Sequence, residues 1–228
     1  MVAWVSGRGE TREVWVMNRD GSNQRQVTGG TGVNIDPTFS PDGMYIAYDG
    51  QGEDGNSEIF VIPTNGGDPV NISDHPATDS HPFWSPVGDE IAFYSNRDHP
   101  ESDSMDVYVM NADGSSVRRL TESVADDRYP SWSPDASRIA FSSTMSGDAE
   151  IYTMSAVDGS DVRRLTDSEG DDLAPAWSPD GGTIAFVSGR HGPFEVYIIN
   201  VDGTEEINLT NHETADSNPR WVPAVRSN

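Results

Sequence analysis

One short segment is spelled five times in this chain. Pro-x-(Trp/Phe)-Ser-Pro recurs with its first proline at Pro37, Pro82, Pro130 and Pro175, and a fifth copy, Pro219 to Pro223, carries Val222 in place of the serine. Successive copies lie 45, 48, 45 and 44 residues apart. A fixed period in this range belongs to a repeat architecture, in which one supersecondary unit cannot bury its apolar face alone and stacks against its neighbours. A chain of 228 residues occupied by such a repeat is expected to be one domain, 1–228.

Each unit has four apolar segments. The proline motif is the first. The second is a short run such as Val2-Ala3-Trp4, Ile91-Ala92-Phe93 or Ile184-Ala185-Phe186. The third is longer, as in Val14-Trp15-Val16-Met17 or Val107-Tyr108-Val109-Met110, and the fourth is a brief Val-Thr or Leu-Thr, as at Val27-Thr28 and Leu120-Thr121. These runs are short, rich in β-branched and aromatic residues and bounded by turn residues, so they read as strands. No window shows a helix of ten or more residues with a 3.6 period. Asp-Gly or Asn-Gly separates the third and fourth runs (Asp20-Gly21, Asn65-Gly66, Asp113-Gly114, Asp158-Gly159, Asp202-Gly203). These dipeptides accept positive φ and close tight hairpins. Ser-Pro-Asp-Gly, at Ser40 to Gly43 and Ser178 to Gly181, turns the chain between the first and second runs.

Four antiparallel strands per unit, copied round a circle, make an all-β fold: a five-bladed β-propeller of four-stranded antiparallel blades. The chain opens on a second strand and ends on a lone first strand. The segment Pro219 to Pro223 is therefore expected to pair with the N-terminal strand and close the ring, which hides two sheet edges.

Composition narrows the function. There are 38 acids and 14 bases, for a net charge of −24, and every base is arginine. Such a surface repels nucleic acid and anionic membranes. No apolar run is long enough to span a bilayer, so membrane insertion is not expected, and no signal-peptide core is present in this sequence. The absence of cysteine excludes disulfides and thiolate metal sites. The turns account for many of the aspartates but for none of the glutamates, which points to a halophilic surface. The melting temperature should then rise between low and molar KCl as salt screens self-repulsion, and a flat profile would refute that reading.

The string Ala174-Pro-Ala-Trp-Ser-Pro-Asp-Gly181, followed by Ile184-Ala-Phe186, Glu195-Val-Tyr197, Asp202-Gly203 and Asn208-Leu-Thr210, resembles the TolB-like propeller repeat over essentially the whole chain. The family's namesake is a periplasmic protein with six blades behind a separate N-terminal domain, and it binds the peptidoglycan-associated lipoprotein Pal at one mouth of its channel. The resemblance implies a protein-binding propeller in the periplasm or outside the cell. The same repeats form the gating propeller of prolyl-oligopeptidase-type peptidases, but this sequence has no Gly-x-Ser-x-Gly elbow.

Three residues before each motif proline stands an acid or its amide: Asn34, Asp79, Asp127, Asp172 and Asp216. The first strand of a blade is innermost, so these residues are expected in the loop at the channel mouth. Carboxylates brought together there either protonate or hold a cation, and hard oxygen ligands suit Ca²⁺. The competing reading makes each Asp a cap on its own loop. His81 is the histidine best placed to line the channel, while His75 and His212 occupy equivalent loops. Arg8, Arg97 and Arg190 follow the second strand in three blades and are expected to pair with a neighbouring blade's carboxylate.

The sameness of the copies, with no nucleophile–base pair, favours a non-enzymatic, monomeric scaffold for a protein or peptide, with a structural cation in the channel. The alternative is a hydrolase or glycosidase in the channel using Asp79, Asp127, Asp172, Asp216 and His81. That chemistry requires unlike environments for its acid and its base. A third reading, a chain that closes only by oligomerising, is tested by its size in solution.

Overall fold

The structure, a computed structural model, describes residues 1–8, 11–30, 32–102 and 104–221. It is all-β, and its sheets are the five blades of a β-propeller. The first sheet contains β1 (Val2–Ser6), β2 (Glu13–Met17) and β3 (Arg25–Gln26). The second contains β4 (Ile35–Phe39), β5 (Tyr45–Gln51), β6 (Ser57–Pro63) and β7 (Val70–Asn71). The third is built of β8 (Asp79–Trp84), β9 (Glu90–Ser95), β10 (Asp106–Asn111) and β11 (Arg118–Arg119). The fourth runs through β12 (Asp127–Trp132), β13 (Arg138–Ser143), β14 (Glu150–Ser155) and β15 (Arg163–Arg164). The fifth is β16 (Asp172–Trp177), β17 (Thr183–Ser188), β18 (Glu195–Asn200) and β19 (Ile207–Asn208). Strands neighbour one another in chain order within every sheet, as a meander of hairpins requires.

The described residues fall into two compact units, one within Met1–Asp103 and Tyr108–Arg118, the other within Ser104–Val107 and Arg119–Asn228. In the first unit, Val14, Val16, Ile46, Tyr48 and Ile62 bury one cluster, and Ile59, Trp84, Phe93, Tyr108 and Met110 belong to a second. In the second unit, Ala140, Ile151, Ile184, Phe186, Tyr197 and Ile199 pack together. Each cluster draws on consecutive sheets, so a blade's apolar face is completed by the next blade. Aromatic pairs stand across the middle strands in register: Trp4 faces Trp15, Tyr48 faces Phe60, Phe141 faces Tyr152 and Phe186 faces Tyr197. Such cross-strand aromatic pairs stabilise a sheet beyond the area they bury.

The turn chemistry matches the sequence. In the Ser-Pro-Asp turns the serine hydroxyl donates to the aspartate two residues on, 2.6 Å at Ser40–Asp42, Ser133–Asp135 and Ser178–Asp180. These hydrogen bonds hold the carboxyls of Asp42, Asp135 and Asp180 below the usual range. Much of the aspartate content is thus turn geometry.

The first sheet has three strands among the described residues. The segment expected to complete it, Pro219 to Pro223, carries no strand over 219–221, and 222–228 lie outside the described residues. Trp221 nevertheless bonds as the motif Trp177 does. Its Nε1 donates to the Ala176 carbonyl at 2.9 Å, as Trp177 Nε1 does to the Ser131 carbonyl at 3.1 Å.

Candidate functional site

The residue before each motif proline adopts the left-handed conformation: Asp36, His81, Tyr129, Ala174 and Asn218 have φ between 51° and 56°. Asp, Asn and His are the non-glycine residues most often found in this region; Tyr and Ala enter it at a cost. The reason is a bulge. The pairing of the first and second strands shifts register between Ile35 and Thr38, Ser80 and Phe83, Arg128 and Ser131, and Leu173 and Ala176. An inserted residue of this kind kinks a strand and re-aims its side chains. The strand therefore resumes on the far side of the proline, and Asp79, Asp127 and Asp172 are strand residues rather than loop residues as expected. They stand opposite Ser95, Ser143 and Ser188.

These three aspartates are fully buried, and their partners differ. Asp79 is matched by Arg97, whose Nη2 lies 2.8 and 2.9 Å from its two oxygens. The guanidinium is held over Phe93 and Tyr108, 5.2 and 5.1 Å from their ring centroids. Asp172 repeats the arrangement, with Arg190 Nη2 at 3.2 and 3.0 Å and the guanidinium 4.5 Å from the Tyr197 centroid. Arg97 and Arg190 thus pair within their own blades, which corrects the expectation of a neighbouring blade's carboxylate. The bulge brings the start of the first strand beside the end of the second in the same sheet. Arg8 lies over Trp4 and Trp15, 5.7 and 4.7 Å from their centroids, and donates to Gln24 at 3.1 Å.

Asn34 makes a different bond, its Nδ2 donating to Glu13 at 2.9 Å. Asp127 has Met145 where the sister blades carry arginine. Both kinds of residue take the same backbone position, since Met145 N donates to Ser143 Oγ as Arg97 N does to Ser95 Oγ. Burial pushes the Asp127 carboxyl up, and the nearby Asp106 charge adds to this, although the hydroxyls of Ser143, Thr121 and Ser123 oppose it. For Asp216, the backbone N–H donates to the Phe194 carbonyl at 2.7 Å. Among the described residues, no group of three or more His, Cys, Asp or Glu side chains is arranged to hold a metal ion.

A second set of acids recurs once per blade. Glu13, Asp106, Glu150 and Glu195 open the third strand of their blades and Glu58 is the second residue of its own, and all are buried. Each accepts a hydrogen bond from the hydroxyl that follows the fourth strand: Thr28 at 2.7 Å, Thr121 at 3.1 Å, Thr166 at 2.5 Å, and likewise Ser73 and Thr210. That hydroxyl in turn accepts the backbone N–H just after the acid, at 2.9 Å in Val14, Ile59, Val107 and Ile151 and 3.0 Å in Val196. The outer strand, only two residues long, is thereby tied to the sheet by side chains. The sequence signal is an acid one residue before each third apolar run, at the period of the repeat.

The histidines take structural places. His81 stacks on Tyr94 with centroids 6.1 Å apart, and its Nδ1 lies 3.3 Å from Asp36. His75 and His212 are equivalent as expected: each backbone N–H donates to the third-strand glutamate, at 3.4 Å to Glu58 and 2.6 Å to Glu195. Their rings turn back on their own loops, with Nδ1 accepting from Ala77 N at 3.1 Å and Thr214 N at 3.2 Å.

The family profile PD40, the TolB beta propeller domain, matches residues 2–172, and the chain belongs to that family. The solved structure of the putative TolB from Agrobacterium tumefaciens is 28% identical, with a TM-score of 0.75 over 86% of this chain and 73% of that one. TolB from Acinetobacter baumannii shares the fold at 23% identity and a TM-score of 0.85, over 97% of this chain and 54% of that one. An uncharacterised peptidase of Bacillus subtilis (strain 168), YuxL, is 30% identical over 81 residues, 36% of this chain. The chain spans only 12% of the length of that peptidase. No helix among the described residues is long and apolar enough to cross a membrane.

Proposed function

We propose that this propeller is a non-catalytic scaffold that presents rigid loops to a protein or peptide partner, in the periplasm or outside the cell. The observation that carries this reading is the use made of the buried acids. All five third-strand acids are bonded to their own blade's hydroxyl, and Asp79 and Asp172 are bonded to their own blade's arginine. A general acid and a general base need environments that push their pKa values apart and leave both open to substrate. Groups bonded in the same way in every copy serve the blade. Membership of the TolB beta propeller family, a resemblance that implies a protein-binding propeller, supports the same view.

Two measurements on the purified chain test it. One is selection from a random peptide library, with the affinity of selected peptides measured in solution. The other is turnover of peptide, ester and glycoside substrates. Saturable peptide binding without turnover is the expected result. Turnover abolished by Asp127→Asn or His81→Asn would establish the enzyme instead. Light scattering should give the mass of one chain.

A further inference from the structure

We propose that the cavity beside Asp127 binds a guanidinium group, the arginine side chain of a protein partner. One pair of positions differs among the blades of this one molecule. An acid at the start of the first strand and the residue two after the end of the second strand vary together. Asp79 goes with Arg97, and Asp172 with Arg190. Where Gly52 stands in place of the arginine, the acid is replaced by the uncharged Asn34. The blade of β12–β15 breaks the rule, keeping Asp127 but carrying Met145.

The aromatic pair is kept there. Phe141 and Tyr152 are stacked with centroids 5.8 Å apart, matching Phe186 and Tyr197 at 5.7 Å, the pair over which Arg190 lies. A cavity of about 430 Å³ is lined by Asp127, Phe141 and Met145, the counterparts of Asp172, Phe186 and Arg190, and by Ser123. Asp127 is fully buried, and its Oδ1 has no hydrogen-bond partner. A buried carboxylate oxygen without a partner costs free energy that a donor from a ligand would recover. Arg119 also borders the cavity, but its Nη2 is committed to Asp106 at 2.8 Å and its Nε to the Thr121 carbonyl at 2.7 Å. Three carboxylates (Asp127, Glu122, Asp158) against that one guanidinium leave the lining acidic. A planar cation that forks onto a carboxylate and stacks on an aromatic ring, here Phe141, is the group this geometry fits.

This inference rests on the scaffold reading for the identity of the partner, but the cavity is testable without one. Titration of the full chain with N-acetyl-L-arginine amide, followed by calorimetry, is expected to show saturable binding. The isosteric citrulline probe, which lacks the charge, should not bind. Asp127→Asn should weaken arginine binding at least about tenfold, because a charge-assisted bond is lost. Met145→Arg should place an internal guanidinium in the cavity, raise the melting temperature and abolish binding. It changes the pair without removing a buried group, so it reports even if Asp127→Asn does not fold. Equal affinity for the arginine and citrulline probes, undiminished binding in Met145→Arg, or no saturable binding would overturn the proposal. So would a Ca²⁺-induced rise in melting temperature that Asp127→Asn abolishes while the arginine probe gives no response. Substrate turnover by the chain would defeat the scaffold reading and leave the arginine result standing.

Discussion

Replacing Arg97 with glutamine is expected to destabilise the protein by about 3–5 kcal/mol, because it strands a fully buried carboxylate. In a domain of this size each kcal/mol moves the melting temperature by roughly 2–4 °C, so the loss should be on the order of 10 °C. The double variant Asp79→Asn, Arg97→Gln removes both charges, as the second blade does with Asn34 and Gly52. It should recover most of that loss, and the coupling between the two positions should exceed about 1 kcal/mol. If the double variant is as unstable as the single one, the guanidinium contributes through packing on Phe93 and Tyr108 rather than by neutralising Asp79.

The same Asp→Asn change should have opposite signs in two blades. Asp79→Asn alone leaves Arg97 facing an amide and should destabilise. Asp127→Asn removes a charge that no arginine answers and should be neutral or stabilising near pH 7. Because the folded-state pKa of Asp127 is raised, the folded protein binds that proton more tightly than the unfolded chain does. Stability is therefore lost as the pH rises from the unfolded pKa through the folded one, and is regained on acidification. Any advantage of the Asn variant should shrink as the pH falls through that window. An advantage constant with pH would mean that Asp127 is not the group responsible.

The blade was legible in the sequence because its signals are local. Alternating apolar runs, Asp-Gly hairpins and Ser-Pro-Asp turns each act within a few residues, and the period fixes how the copies follow one another. The ring acids were legible as residue types at a spacing, but their partners were not. Whether Asp79 meets Arg97 or a neighbouring blade depends on the bulge at His81, where a non-glycine residue takes positive φ before a proline. Propensity disfavours that conformation, and tertiary structure imposes it. The acid–hydroxyl ties were missed for a different reason. Glu150 and Thr166 are 16 residues apart, and the bond between them exists only once the third and fourth strands have paired. The signal was present, since both residues recur in every copy, but single-strand patterning assigns an acid at a strand end to solvent.

The hairpin glycines carry a second large effect, and a distinction the sequence does not make. Asp20-Gly21, Asp113-Gly114 and Asp158-Gly159 are the same dipeptide in the same turn, with φ of 82°, 83° and 71° at the glycine. A Cβ on Gly21 would meet nothing within 4 Å, whereas one on Gly159 would stand 2.0 Å from the Leu120 carbonyl oxygen, and one on Gly114 2.3 Å from that of Ile72. Gly21→Ala should therefore cost only the left-handed penalty, about 1–2 kcal/mol. Gly159→Ala adds a collision with backbone that cannot easily yield, because Leu120 N is itself bonded to the Val107 carbonyl at 2.8 Å. Its total should reach about 4 kcal/mol or more, a size that requires a specific steric cause. Denaturant unfolding of the two variants side by side separates the contributions. A large loss in Gly159→Ala and Gly114→Ala with a small one in Gly21→Ala makes close approach between consecutive blades the reason for glycine at these turns. Equal losses in all three would mean that backbone conformation alone demands it, and that the contacts at Leu120 and Ile72 relax freely.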